Sequence, residues 1–211
     1  MTEHPILFSG PMVRALLAGW KTQTRRLVTV PWHKGQRTLP YSPYYDDWDG
    51  VLRIVDEYGD WHDFTDRVAC PHGQPGDRLW VRETWRGADG WRPENGHLIE
   101  YRADERRVWR EAPEEVLSYQ FTGNKWRPSI HLPRWASRLD LELTAVRVER
   151  LQVISEEDAR AEGVSDEAIA EHGSAREAFR VLWDSINGKR APWASNPWVW
   201  VEGLAVAEGV R

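Results

Sequence analysis

A chain of 211 residues with 41% apolar side chains has enough length and hydrophobic material for a full core, so it reads as globular. Its one cysteine excludes an internal disulfide and fits a reducing compartment. A net charge of −5 excludes an indiscriminate nucleic-acid coat, although a local basic pocket stays open. Residues 1–12 lack the basic start and apolar run of a secretory signal, and no segment approaches membrane-spanning length. The expectation is one cytoplasmic domain over 1–211 with no membrane partner.

Two compositional biases matter. There are 14 tryptophans, and 24 of the 28 basic residues are arginines. Both side chains stack on planar groups and hydrogen-bond them in fixed geometry, which suits a nucleobase or interface reader. A GC-rich genome and a Trp-heavy core account for part of this excess.

In chain order, Ser9-Gly10-Pro11 opens a helix in which Met12, Val13, Leu16, Leu17 and Trp20 recur at helical spacing, with Gly19 as its stop. Leu27, Val28 and Val30 begin an extended run that Pro31 cuts short. Residues 31–75 show no sustained periodicity and read as a long insertion with one hairpin. After the Gly76-Asp77 turn, Arg78 to Trp85 alternates and predicts a strand. Residues 86–126 read as a second, polar and Trp-rich insertion, and Lys125 to Leu139 as proline-punctuated loop or edge strand. Leu139 to Leu151 alternates over a long strand. Ser155–Asp158 and Ser174–Glu177 are capping boxes; the first opens a helix ending at Gly163, the second a helix stopped by Asn187-Gly188. Pro197 to Val206 supplies a last strand. The order helix, strands, helices, strand predicts an α+β fold with a small barrel.

The stretch Leu16-Leu17-Ala18-Gly19-Trp20-Lys21-Thr22-Gln23-Thr24-Arg25-Arg26, followed by Pro75-Gly76-Asp77-Arg78-Leu79 and by Ser155 to Gly163, resembles the ASCH family. The closing Trp198-Val199-Trp200-Val201-Glu202 fits the same pattern. The resemblance implies a PUA-like β-barrel with flanking helices, and leaves the insertions at about 31–75 and 86–126 outside it. It also resembles the bacterial N4-acetylcytidine amidohydrolases of that family, which implies Lys21 as base, Thr24 as nucleophile and Glu162 as acid. Those enzymes are about half this length, and other ASCH proteins are thought to bind or cut RNA, so the fold does not settle the activity.

The chemistry sets its own conditions. A threonine hydroxyl needs a base, and a lysine is one only if burial or nearby positive charge lowers its pKa from ~10.4. Arg25 and Arg26 supply charge and Trp20 a dry wall. On a flat strand positions 21 and 24 point to opposite faces, so the chain must turn between them, and the Gly19 stop makes room for that turn. Glu162, in the last turn of its helix, meets the negative end of the dipole, which favours a protonated acid; read without the resemblance it is a solvated surface glutamate.

The remaining expectations are less pointed. Lys21, Arg25 and Arg26 equally suit a phosphate-binding patch, which is the RNA-binding alternative. Glu83 and Trp85 either line the pocket or end a barrel strand with a structural salt bridge. Ser129, His131 and Arg134 lie in a loop-like run within reach of a ligand. His62, Cys70 and His72 match no standard zinc spacing, so neither metal nor organic cofactor is expected. The expected substrate is an N4-acylated cytidine or related nucleoside, with RNA or a protein partner as alternatives. Trp32, Trp48, Trp61, Trp91, Trp109 and Trp126 are expected to form an apolar annex beside the acyl group.

Overall fold

The computed structural model describes residues 1–29, 42–46, 51–55, 61–62, 68–88, 96–113 and 125–207, with the strands between 42 and 69 described by their backbone. The elements are β1 (Glu3–Leu7), α1 (Gly10–Leu17), β2 (Gln23–Leu27), β3 (Ser42–Asp46), β4 (Val51–Val55), β5 (Trp61–His62), β6 (Val68–Ala69), β7 (Arg78–Arg82), β8 (Trp85–Gly87), β9 (Gly96–Tyr101) and β10 (Arg107–Glu111). They continue as β11 (Asp140–Arg150), α2 (Glu156–Ala161), α3 (Asp166–His172), α4 (Ala175–Asn187) and β12 (Trp198–Val206). The expected α+β class is what is found. The chain divides into two compact units, one of residues 1–19, 77–142 and 206–211, the other of 20–76 and 143–205. Among the described residues no helix is long and apolar enough to cross a membrane.

In the first unit, β1 pairs in parallel with β7, and β7 pairs antiparallel with Asp140, Leu141 and Glu142 at the start of β11. The helix α1 begins after Ser9, carries Pro11 in its first turn, and buries Val13, Ala15 and Leu16. Gly19 ends it at φ 77°, a left-handed conformation that glycine adopts without steric cost. The strand expected over Arg78–Trp85 is two strands. Its second part changes partners: Trp85 pairs with Tyr101 of β9 and with Arg127, so the ladder of β7 cannot continue through Glu83 and Thr84.

Residues 86–126 carry more regular structure than their composition predicts, because β8, β9 and β10 form an antiparallel meander. Charged residues obscure the alternation there. Glu100, between the core residues Ile99 and Tyr101, points to the opposite face of β9, where Arg86 lies at 2.7 Å and Arg107 at 2.8 Å. Trp85, Ile99, Tyr101, Leu132 and Ala136 make the core of this part, and the Tyr101 hydroxyl donates to the Ala136 carbonyl at 2.6 Å. The loop-like run before Leu139 holds two short 3₁₀ turns, Ser129–His131 and Arg134–Ala136.

In the second unit, β11, β12 and β2 lie side by side, with β12 antiparallel to β2. Val199 and Val201 of β12 face one way and pack with Leu151, Ile154, Ala159, Phe179 and Trp183 under the helices. Truncating a buried aromatic such as Phe179 to Ala typically costs about 3–5 kcal/mol. Ser155 caps α2 by accepting from the Asp158 N–H at 3.0 Å, and Ser174 caps α4 from Glu177 at 3.1 Å, as both capping boxes predict. Helix α3 was not legible in the sequence. Its seven residues hold one large apolar side chain, Ile169, too few for a period; its signals are the Ser165 cap at 3.3 Å and Gly173 at φ 85°. Within 31–75, β3 and β4 form the expected hairpin, and β4 also pairs with β5 and β6.

Candidate functional site

The cluster begins where the chain leaves Gly19. Thr22 is pinned on both sides: its N–H donates to Ala161 at the end of α2 at 2.9 Å, and its carbonyl accepts from Leu204 of β12 at 2.8 Å. That anchorage carries the neighbouring Lys21 to the end of α2. Its Nζ donates to the Gln23 carbonyl at 2.7 Å, to the Glu162 carbonyl at 2.8 Å and to Glu162 Oε2 at 3.1 Å. Lys21 is buried, and burial pushes its pKa below the ordinary lysine value. The Glu162 carboxylate opposes that shift, while Arg26 and Arg25 reinforce it. The net direction is the one a lysine base requires.

Glu162 is not the solvated surface residue that its position in sequence suggests. It caps the C-terminus of α2, is buried, and takes Lys21 on one oxygen and Arg25 Nη1 on the other at 3.1 Å. Tertiary folding has brought two cations against a helix end that would disfavour the carboxylate alone. Arg25 also donates to Asp158 at 2.8 Å and to Glu149, and Arg147 bridges those two acids from the rim. The Arg25 side chain is 0% exposed and faces three carboxylates. Such an arginine is an interior strut rather than a phosphate-binding surface.

Strand alternation sorts the rest. Gln23 and Arg25 share the helix-covered face of β2. Thr24 and Arg26 point to the other face, where they stand opposite Glu202 and Trp200. Thr24 is buried, and the Glu202 and Glu162 carboxylates both act on Arg26. The structure therefore joins Lys21 and Arg25 through Glu162, and sets Thr24 and Arg26 on the opposite face of β2 from Arg25. Trp20 is 64% exposed, so the burial of Lys21 does not come from this indole, which lies open for stacking.

Glu83, Trp85, Ser129 and His131 belong to the first unit. Glu83 is buried and receives Arg138 in bidentate fashion at 2.8 and 2.9 Å; Asp104 takes the same guanidinium at 2.9 Å. Burial pushes the Glu83 pKa up against the pull of Arg138. Trp85 is a fully buried member of the core. Ser129 and His131 bracket the first 3₁₀ turn, with His131 exposed, and Arg134 pairs with Glu3 and Asp140. Of the six annex tryptophans, Trp109 lies on β10 and Trp126 stacks against Arg86; the side chains of Trp32, Trp48, Trp61 and Trp91 lie outside the described residues.

Sequence reasoning missed Glu202, Glu149 and Asp158. Glu202 left a signal, being the one charged residue inside the apolar run Trp198–Val206. It also bears on the metal question, because Cys70, His72 and Glu202 offer ligand atoms that lie within 4.8 Å of one another.

No protein-family model and no curated protein matches the chain. Among solved structures the chain is similar, with a TM-score of 0.41 and 14% identity, to an ASCH domain from Lactobacillus crispatus JV V101, over 97% of this chain and 79% of that one.

Proposed function

We propose that the protein is an amidohydrolase that removes the N4-acyl group from N4-acylated cytidine or a related nucleoside. The observation that carries this reading is the buried contact between Lys21 and Glu162. An ammonium and a carboxylate in a dry site are one proton transfer away from a neutral amine and a carboxylic acid, and low polarity favours that exchange. The neutral pair holds both groups that acyl transfer needs, a base and an acid.

In the proposed course the Lys21 amine takes the proton of Thr24 Oγ as that oxygen bonds to the acyl carbon. The carbonyl oxygen becomes an oxyanion, stabilised by Arg26 or by nearby backbone N–H groups. As the carbon–nitrogen bond breaks, Glu162 gives its proton to the leaving cytosine amine. The ion pair is thereby restored, and water cleaves the Thr24 ester to release the carboxylic acid. Trp20, exposed beside Lys21, supplies a surface on which a base can stack.

RNA binding through the same residues is the alternative. It is disfavoured by the burial of Lys21 and by the three carboxylates around Arg25, which leave little free positive charge for phosphates. Incubation with N4-acetylcytidine, read by the ultraviolet change to cytidine, tests the proposal. No conversion above the blank, together with strongly salt-dependent RNA binding, would replace it with the alternative.

A further inference from the structure

Cys70-Pro71-His72-Gly73 forms a tight turn just after β6. Gly73 at φ 97° turns the chain, and its N–H donates to the Cys70 carbonyl at 3.0 Å. The turn sets Cys70 Sγ 3.5 Å and His72 Nδ1 2.8 Å from the same oxygen, Oε1 of Glu202. The backbone N–H groups of His72 and Gly73 also act on the Cys70 sulfur, against the larger opposing effect of burial.

Glu202 itself is 0% exposed, and its second oxygen, Oε2, is buried without a hydrogen bond. A buried carboxylate oxygen left unsatisfied is costly, and Arg26 is the nearby cation that acts on this group. A divalent cation bound by Cys70 thiolate and Glu202 would cancel their two negative charges.

We propose that Cys70, His72 and Glu202 bind one divalent cation of the zinc class, with a fourth position left to water or a ligand oxygen. The donor set of thiolate, imidazole and carboxylate suits zinc, and three protein ligands are the number found in open zinc sites. The spacing fits as well. Metal distances of ~2.3 Å to sulfur and ~2.0 Å to nitrogen and oxygen give tetrahedral edges of about 3.5 Å for S···O and about 3.3 Å for N···O. The S···O edge is already in place at 3.5 Å, and the N···O edge of 2.8 Å has to open by about half an ångström. His72 is partly exposed, which provides an entry path.

A nucleophilic role for Cys70 is the competing chemistry. Burial, and after it the Glu202 carboxylate, push the free thiol's pKa well up, which makes an inert nucleophile. Metal binding reverses that penalty: the thiol proton leaves to solvent as the sulfur–metal bond forms. Glu202 stands opposite Thr24 on the neighbouring strand, so the cation would lie on the sheet face that carries Thr24. The site does not depend on the acyl-transfer reading.

The test uses the full chain, untagged and stripped of metal, titrated with cobalt(II) chloride. The expected result is a thiolate-to-cobalt charge-transfer band that saturates at one equivalent and is bleached by zinc. Since Cys70 is the only cysteine, that band can arise from no other residue. Cys70→Ser should abolish it, and His72→Ala and Glu202→Gln should each weaken cobalt binding by roughly tenfold or more. Because Glu202→Gln could also perturb folding, a zinc-dependent rise in the urea midpoint of the wild-type chain, absent from Cys70→Ser, is the second readout. Absence of the band, or unchanged affinity in folded His72→Ala, overturns the proposal. Neither readout uses an acylcytidine, so failure of the amidohydrolase reading would leave this result standing.

Discussion

Thr24 and Glu202 face each other across β2 and β12, with Thr24 on the opposite side of its strand from Arg25. The hydroxyl thus points away from the Arg25 side chain, while Lys21, which lies before β2 begins at Gln23, is three residues from it. Thr24→Ala is expected to leave the fold intact and to lower kcat/KM on N4-acetylcytidine by roughly 10³-fold or more. Thr24→Ser should keep measurable turnover. Wild-type rates in the alanine variant would remove the threonine ester from the mechanism.

Lys21 is expected to tolerate no cationic substitute. Lys21→Arg keeps the charge beside Glu162 but does not lose its proton near neutral pH, so it should be as inactive as Lys21→Ala. The alanine variant takes one hydrogen-bonded cation from Glu162 and leaves it paired with Arg25, and its unfolding free energy should drop by about 1–3 kcal/mol. An active Lys21→Arg, measured beside a denaturant curve that shows it folded, would assign Lys21 to binding only.

The pH profile follows from the same pair. The active form carries one proton between Lys21 and Glu162, so kcat/KM should fall once Lys21 loses the proton the pair shares. Burial lowers the Lys21 pKa below 10.5, and above that lowered value the pair holds no proton for the leaving amine. The alkaline fall should therefore lie below pH 10.5 and be absent from Glu162→Gln, whose residual rate is low throughout. Enzymatic rates, corrected for spontaneous hydrolysis, that climb steadily through pH 10.5 would contradict this assignment.

Arg138 offers a stability test that does not involve the residues of the proposed chemistry. Removing its guanidinium in Arg138→Met leaves the Glu83 carboxylate buried without its bidentate partner, which should cost about 3–5 kcal/mol. Glu83→Gln in the same chain should recover part of that loss. Urea midpoints of the single and double variants measure both steps, and additive losses would mean the two residues are not coupled.

Acyl range is the last expectation, and it comes from composition. If the tryptophans of the two long segments form an apolar annex, benzoyl- and hexanoyl-cytidine should be cleaved about as well as the acetyl compound, since apolar pockets discriminate by only about 1–3 kcal/mol per methylene-scale change. Specificity constants for the three substrates decide it. A steep fall with acyl size would remove the annex and leave the amidohydrolase proposal untouched.

Local signals in the sequence determined the elements that they govern. Ser155 and Ser174 start their helices because their side chains meet N–H groups three residues on, and Gly19 stops α1 because its backbone adopts a left-handed conformation. The extended run of β11, whose burial alternates as far as Leu143 before shifting phase at Val146, and the hairpin between β3 and β4 are local in the same sense. Where partners are remote, local pattern carried no information. The split of Arg78–Trp85 depends on β9 and Arg127, and the meander of β8, β9 and β10 depends on pairing between strands rich in charged residues. The site divides along the same line. Lys21, Thr24, Arg25 and Arg26 were legible as an unusual polar run at a helix stop, but their environments were not. Only the tertiary structure put Glu162 within reach of two cations 137 and 141 residues away, and Cys70 and Glu202 together across 132 residues. Charge and burial arise from neighbours distant in sequence, so the pairs that could move a proton or hold a cation exist only once the chain has folded.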